Sequence, residues 1–265
     1  MTDPVSVHDL GVKGFHSELR VKRRKRFRKM PRLLSQHQLV EYWVFQEVSL
    51  DLRPGDALFV YSEDALTVTT FFRAVCNLLQ PDAGTVTNRN RSLLLNPLKR
   101  RAIRNLSVGQ AIRMLCGLYG MTDDETDERF DRIARQAGVK RELGTLVDDI
   151  PRRVQDQISF SVGLAAPVGL LALDRVARVG ERPYANKCMD RLVEARQAGQ
   201  ILLFTGKDPN QIEPLATGAL ELREEGSTRV PIEQAREAVM TARRSRVRRR
   251  KPQHDESDDP DQGFL

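Results

Sequence analysis

The sequence predicts an α/β fold built on a mostly parallel sheet, with antiparallel strands at the N-terminus and an inserted helical subdomain. Three observations predict it. Ala57–Tyr61, Leu170–Leu173 and Gln200–Phe204 are short apolar runs of the kind that form strands buried on both faces. Segments with helical spacing alternate with those runs, which argues for a parallel sheet with helices against it. The stretch 106–165 reads as mostly helical, a long block lying between two strands of the sheet.

The elements follow in chain order. Val5–Leu10 alternates like a short strand, and Val44–Leu52 alternates again. Arg53-Pro54-Gly55-Asp56 is a turn before the first buried strand. Leu66–Leu79 has helical spacing, and Gln80-Pro81-Asp82-Ala83-Gly84 stops it. Thr85–Thr87 begins another strand. Ser107 or Asn105 caps one helix running to Tyr119, and Thr122 with Glu125 forms a capping box for the next, which ends at Gly138. Asn186–Ala198 is a helix closed by Gly199, and Ala219–Leu222 is a last short strand. Pro231 suits the first position of a final helix, amphipathic at first and then purely basic.

Composition sets the class. The chain has 265 residues, 40% hydrophobic and 30% charged, a soluble globular profile with polar additions. No run approaches the roughly 20 apolar residues of a membrane-spanning helix. Met1-Thr2-Asp3-Pro4 opens with no basic-then-apolar signal pattern, so the expected location is cytoplasmic. Cys76, Cys116 and Cys188 are far apart and form no CxxC pair, and the four histidines show no ligand spacing, which argues against a disulfide framework or a zinc site.

The order of several segments carries a resemblance. Val48–Asp56, Leu78–Val86, Leu106–Ile112, Leu170–Asp174, Val176–Glu181 with Asn186-Lys187-Cys188, and Leu202–Asp208 follow one another as do the strand-and-turn, helical-subdomain, Walker B and switch segments of ATP-binding-cassette (ABC) ATPases. The 176–188 portion is similar to the loop and helix of capsular and O-antigen polysaccharide exporters. The resemblance spans roughly residues 5–225. It implies an ABC-type P-loop NTPase fold, ATP and Mg²⁺ as ligands, a dimer, and a polysaccharide-exporter membrane subunit as partner, with the chain peripheral on the inner face of a bacterial inner membrane.

The nucleotide motifs depart from that family. A phosphate loop needs glycines, so that backbone N–H groups close around phosphate oxygens, with a lysine and a Ser/Thr for Mg²⁺. In register, Ser62, Ala65 and Thr67 stand where glycines are expected, and Val68 stands for the lysine. Thr69 and Thr70 are of the right type, while Glu63 and Asp64 place negative charge where a triphosphate would sit. Asp174 either keeps the acidic Walker B position or simply ends a strand. Thr69 and Asp174 are what remains to hold Mg²⁺. Arg175 replaces the catalytic glutamate and cannot accept a proton from water. Lys207 replaces the switch histidine.

Leu106-Ser107-Val108-Gly109-Gln110 superficially matches the family's signature but lies too far before Asp174, and reads instead as a helix cap. The signature register falls on Ile150-Pro151-Arg152-Arg153-Val154, which has neither glycine nor serine. The resemblance implies that each ATP site joins one subunit's phosphate loop to another's signature, so both halves are degraded here. The expectation is a pseudo-ATPase, paired as a homodimer or with an intact ATPase subunit.

The net charge of +7 is concentrated. One cluster is Lys22, Arg23, Arg24, Lys25, Arg26, Arg28, Lys29 and Arg32; another is Arg243, Arg244, Arg246, Arg248, Arg249, Arg250 and Lys251, followed by acids from Asp255 to Asp261. The first cluster suits an anionic lipid or acidic polymer, or is simply a solvated loop. Phe27 is its only aromatic, which argues against nucleic acid. Phe15, near the family's adenine-stacking position, is expected to be a packed residue. Leu93-Leu94-Leu95 beside Lys99, Arg100, Arg101 and Arg104 is either an apolar docking patch rimmed with charge or a buried strand with a solvated turn. The expected organisation is one cassette domain over 1–228, with a basic insertion at 16–38 and a helical subdomain at 98–165, then a C-terminal helix and a partly disordered tail over 229–265. Two function classes follow: a transport component docked on a membrane channel, or a non-catalytic scaffold or regulator of envelope polysaccharide synthesis.

Overall fold

The computed structural model describes residues 2–20, 36–95, 103–174, 182–206 and 214–250. Strands β1 (Val5–Arg20) and β2 (Gln36–Leu52) form an antiparallel hairpin. β3 (Ala57–Tyr61) leads into helix α1 (Ala65–Val75), followed by β4 (Ala83–Thr87) and β5 (Ser92–Leu95). Helices α2 (Val108–Leu118), α3 (Asp123–Gln136) and α4 (Arg152–Ala165) form the inserted block. β6 (Leu170–Asp174), α5 (Arg182–Gln197), β7 (Ile201–Thr205), β8 (Gly218–Leu222), β9 (Ser227–Val230) and α6 (Ile232–Arg250) complete the chain.

The strands make two sheets. One has order β2-β1-β4 and is antiparallel; the other has order β5-β6-β7-β3-β8-β9, parallel except for the β8–β9 pair. The strand period of two explains how the larger sheet divides the core. Phe59, Leu171, Leu173, Leu202 and Phe204 face the cluster built with α2–α5, whereas Leu58, Val60, Leu170, Ala172 and Leu203 face the opposite cluster. That second cluster also takes Val7, Leu10, Phe45 and Val48 from the smaller sheet and Val68, Phe71 and Phe72 from α1. Helix α1 is therefore clamped between two sheets, with the residues from Thr67 to Phe72 all buried.

Local chemistry accounts for the helix ends. Ser107 and Gln110 cap α2 reciprocally, as do Thr122 and Glu125 for α3. The Leu106–Gln110 motif is thus a working cap. Gly84 has φ +72, and a Cβ there would lie 2.3 Å from the carbonyl oxygens of His8 and Asp9, so the entry to β4 admits only glycine.

Several expectations are corrected. The insertion expected at 16–38 is narrower, because pairing continues to Arg20↔Gln36 and both flanks are strand. The boundary at 228 falls inside β9, which hydrogen-bonds to β8, and Ala235 of α6 is fully buried. Helix α1 stops at Val75 because Asn77 turns left-handed, at φ +57. Helix α5 begins at Arg182 rather than Asn186, and α6 begins just after Pro231. Leu93 and Leu95 are buried in β5 against β6, so the leucine run is a core strand and no docking patch. Phe15, expected to be packed, is 60% exposed. The 22–32 cluster, Lys99–Arg101, the 176–181 segment and the tail beyond 250 lie outside the described residues.

Candidate functional site

The candidate site lies at the C-terminal edge of the larger sheet, where β3 and β6 end and α1 begins. The connection from β3 to α1 is only Ser62-Glu63-Asp64. Ala65, Leu66 and Thr67, which stand in the register of a phosphate loop, are already helical. Without glycines the segment has taken the nearest low-energy course for L-residues and wound into α1.

The start of α1 carries its own anion. Asp64 is the N-cap, and its side chain accepts a hydrogen bond from Leu66 N at 3.1 Å. A carboxylate therefore occupies the end of the helix dipole at which a phosphate would sit. Glu63, Asp64 and Ala65 are exposed, and Leu66 is 45% exposed.

Val68 points away from that edge. It is 3% exposed and belongs to the apolar cluster of Phe71, Phe72, Leu58 and Val60. Thr67 is buried and reaches the Val44 carbonyl of β2 at 3.5 Å, a weak contact. Thr70 is also buried.

Thr69 and Asp174 are brought together. The Thr69 hydroxyl lies 2.8 Å from Asp174 Oδ2 and 3.2 Å from the Ala65 carbonyl. It has one proton, and the shorter contact to a carboxylate takes it. Asp174 is 5% exposed at the last position of β6. Arg175 and Lys207, expected at the catalytic glutamate and switch histidine positions, lie outside the described residues.

The segment in signature register sits at the opening of α4. Pro151 is its N-cap and makes no side-chain capping bond; Arg152 and Arg153 follow, both exposed. Gln155 Nε2 donates to the carbonyls of Val147 and Ile150, at 2.8 and 3.0 Å, and fixes the approach to the helix.

Sequence reasoning missed a buried polar chain behind this region. The Tyr184 hydroxyl of α5 lies 2.8 Å from Ser161 Oγ and donates to the Gln157 carbonyl of α4 at 2.8 Å. Burial drives the Tyr184 phenol upward, and it pushes the neighbouring Cys188 thiol up to about 11. Nothing in their spacing signalled it, because the partners are helical residues from separate elements.

A triphosphate with Mg²⁺ fits this arrangement only in part. Thr69 and Asp174 offer two oxygens suited to a divalent cation. For the phosphates the residues do not fit: the connection is three residues long, its helix end is capped by Asp64, and the lysine position is in the core.

No protein-family model matches the chain. Among curated proteins, the teichoic acids export ATP-binding protein TagH of Levilactobacillus brevis is 22% identical over 209 residues, which cover 77% of this chain and 58% of the relative. TagH of Lactiplantibacillus plantarum is 21% identical over 174 residues, 66% of this chain and 48% of the relative. The O-antigen export system ATP-binding protein RfbB of Klebsiella pneumoniae is 24% identical over 209 residues, 75% of this chain and 83% of the relative. The chain thus spans about half the length of the TagH relatives it matches. Among solved structures, an ATP-binding subunit of an ABC transporter superposes with TM-score 0.65 at 13% identity, covering 89% of this chain and 93% of the other. A nucleotide-free ATP-binding cassette gives 0.63 at 10% identity, covering 89% and 94%. The chain has the cassette fold, and its homologues are the ATP-binding subunits of teichoic acid and O-antigen ABC exporters.

Proposed function

We propose that this chain is the cassette subunit of an ABC exporter for an envelope polysaccharide, with ATP hydrolysis lost or very weak. It docks on the exporter's membrane subunit and pairs with a second cassette, either its own copy or an intact ATPase. The homologues support the transport assignment. One observation carries the loss of hydrolysis: Val68, in the register of the phosphate-binding lysine, is part of the apolar core beneath a helix already capped by Asp64. A site in that state offers neither the cation nor the free N–H cradle that phosphoryl transfer requires.

The test is isothermal titration of the purified protein with Mg-ATP to millimolar concentration, alongside a phosphate-release assay. The expected result is no saturable heat and no turnover above buffer. Turnover that disappears in Asp174→Asn would overturn the reading.

A further inference from the structure

Helices α3 and α5 bring a group of guanidinium side chains together. On α3, Arg129, Arg132 and Gln136 recur at helical spacing and share one face; on α5, Cys188 and Arg191 are one turn apart. Two contacts set these faces against each other. Gln136 lies beside Cys188, and Arg132 lies close enough to Arg191 and Arg129 to feel the charge of both. Residue 136 thus answers to 188 and residue 132 to 191, so the two faces run in opposite senses along one seam.

The seam holds donors that lack acceptors. Arg129 Nη1 donates to the Glu125 carbonyl at 3.1 Å and to Glu128 at 2.7 Å, and Arg191 Nη1 donates to Glu194 at 2.6 Å. Arg132, exposed to solvent, makes no hydrogen bond or ion pair among the described residues. Glu128 acts on its charge from a distance but is already bound to Arg129. Gln136 Nε2 is buried and has no hydrogen-bond partner. Burial first, and then the charges of Arg191 and Arg129, hold the Arg132 guanidinium below its usual range.

An anion relieves both costs, the desolvated amide without a partner and the like charges set side by side. The donors indicate which anion. A carboxylate satisfies one guanidinium fork in its own plane, as Glu128 and Glu194 do here. Donors arriving from two helices, together with an amide, suit a tetrahedral oxyanion, for which arginine is the preferred partner. We propose that the α3–α5 seam binds a phosphate, free or as a monoester, with Arg132, Arg191 and the Gln136 amide as donors and Arg129 as a flanking charge. The site shares no residue with the Thr69–Asp174 edge and stands without the transport reading.

The experiment is isothermal titration and thermal melting of the whole chain with sodium phosphate and with glycerol 3-phosphate, against sodium chloride at matched ionic strength. Wild type should bind saturably, and its melting temperature should rise beyond what chloride gives. Arg132→Gln should weaken binding at least ~10-fold, and Arg132→Lys less, because it keeps the charge and loses the fork. Gln136→Leu should weaken it about 3–10-fold. Without phosphate, Arg132→Gln should melt no lower than wild type, since it removes a repulsion; a structural arginine would melt lower. Tighter binding of the inorganic ion identifies free phosphate as the ligand, and tighter binding of the ester identifies a phosphomonoester or headgroup. No saturable binding, a melting shift equal to that of chloride, or binding kept in Arg132→Gln but lost in Thr69→Val would each overturn the proposal; the last would move the phosphate to the nucleotide edge. ATP turnover by the same preparation would refute the loss of hydrolysis and leave the phosphate result standing.

Discussion

Val68→Lys places a lysine at the position in register with a phosphate-loop lysine, and the structure predicts that it damages the fold. Val68 is 3% exposed among Phe71, Phe72, Leu58 and Val60. An ammonium there would enter an apolar cluster. An uncompensated buried charge costs about 3–5 kcal/mol. For a chain of this size each kcal/mol is worth ~2–4 °C in Tm, so the melting temperature should fall by roughly 6–20 °C. Val68→Met, apolar and longer, separates charge from volume and should cost about 1–3 kcal/mol by overpacking, without the pH dependence. The pH dependence has a definite sign. Burial depresses the folded-state pKa of the new lysine below its unfolded value near 10.4, so the unfolded state binds the extra proton. The deficit relative to wild type is full at low pH and shrinks as pH rises toward ~10. Scanning calorimetry at pH 7 and 9.5 measures both. A variant as stable as wild type that also gains Mg-ATP binding would refute the argument, because the side chain would then reach the phosphate position.

Three further outcomes follow from single contacts. Thr69→Val removes the 2.8 Å bond to buried Asp174 and should lower stability by ~1.5–3 kcal/mol in urea unfolding. Ser107→Ala breaks the α2 capping box, should cost ~1 kcal/mol, and should leave any nucleotide titration unchanged, because Ser107 serves the helix end. The three thiols should be inert to an aromatic disulfide reagent at pH 8 until the chain unfolds: Cys76 is pushed up to about 12 and Cys188 to about 11 by burial, and Cys116 is raised by the same cause.

The fold was legible where burial imposes a period. β3, β6 and β7 are covered on both faces and read as unbroken apolar runs; α2 and α3 announce their starts through Ser107 and Thr122. The distal half of β1 was not legible, because neither face of the hairpin is fully buried there and no alternation is enforced. The left-handed residues Asp9 and Glu47 add bulges that shift the register and blur the pattern further. β9 hides for the same reason, since Val230 alone of its residues is buried. At the candidate site the residue types were readable and their directions were not. Register alone assigns Val68 to a phosphate and Ala65 to a loop; the helix beginning at Ala65 turns one into core and the other into a first turn.

The geometry of the Thr69–Asp174 pair supplies a reason for it that is independent of nucleotide. It joins the second turn of α1 to the last residue of β6. A buried carboxylate needs hydrogen-bond donors whether or not a metal ever arrives, and a threonine one helical turn past the cap provides one. Removing the hydroxyl takes one hydrogen-bond donor from Asp174 in a site 5% exposed to water. The pair therefore earns its place as a tie between helix and sheet, and its presence does not argue for bound Mg²⁺. The discriminating comparison is Thr69→Ser, which keeps the donor. If stability alone is at stake, Thr69→Ser should unfold within about 1 kcal/mol of wild type and Thr69→Val well below it, with Mg²⁺ shifting the midpoint of none of the three proteins. A midpoint that rises with Mg²⁺ in wild type and Thr69→Ser but not in Thr69→Val would show the pair to be a metal site after all.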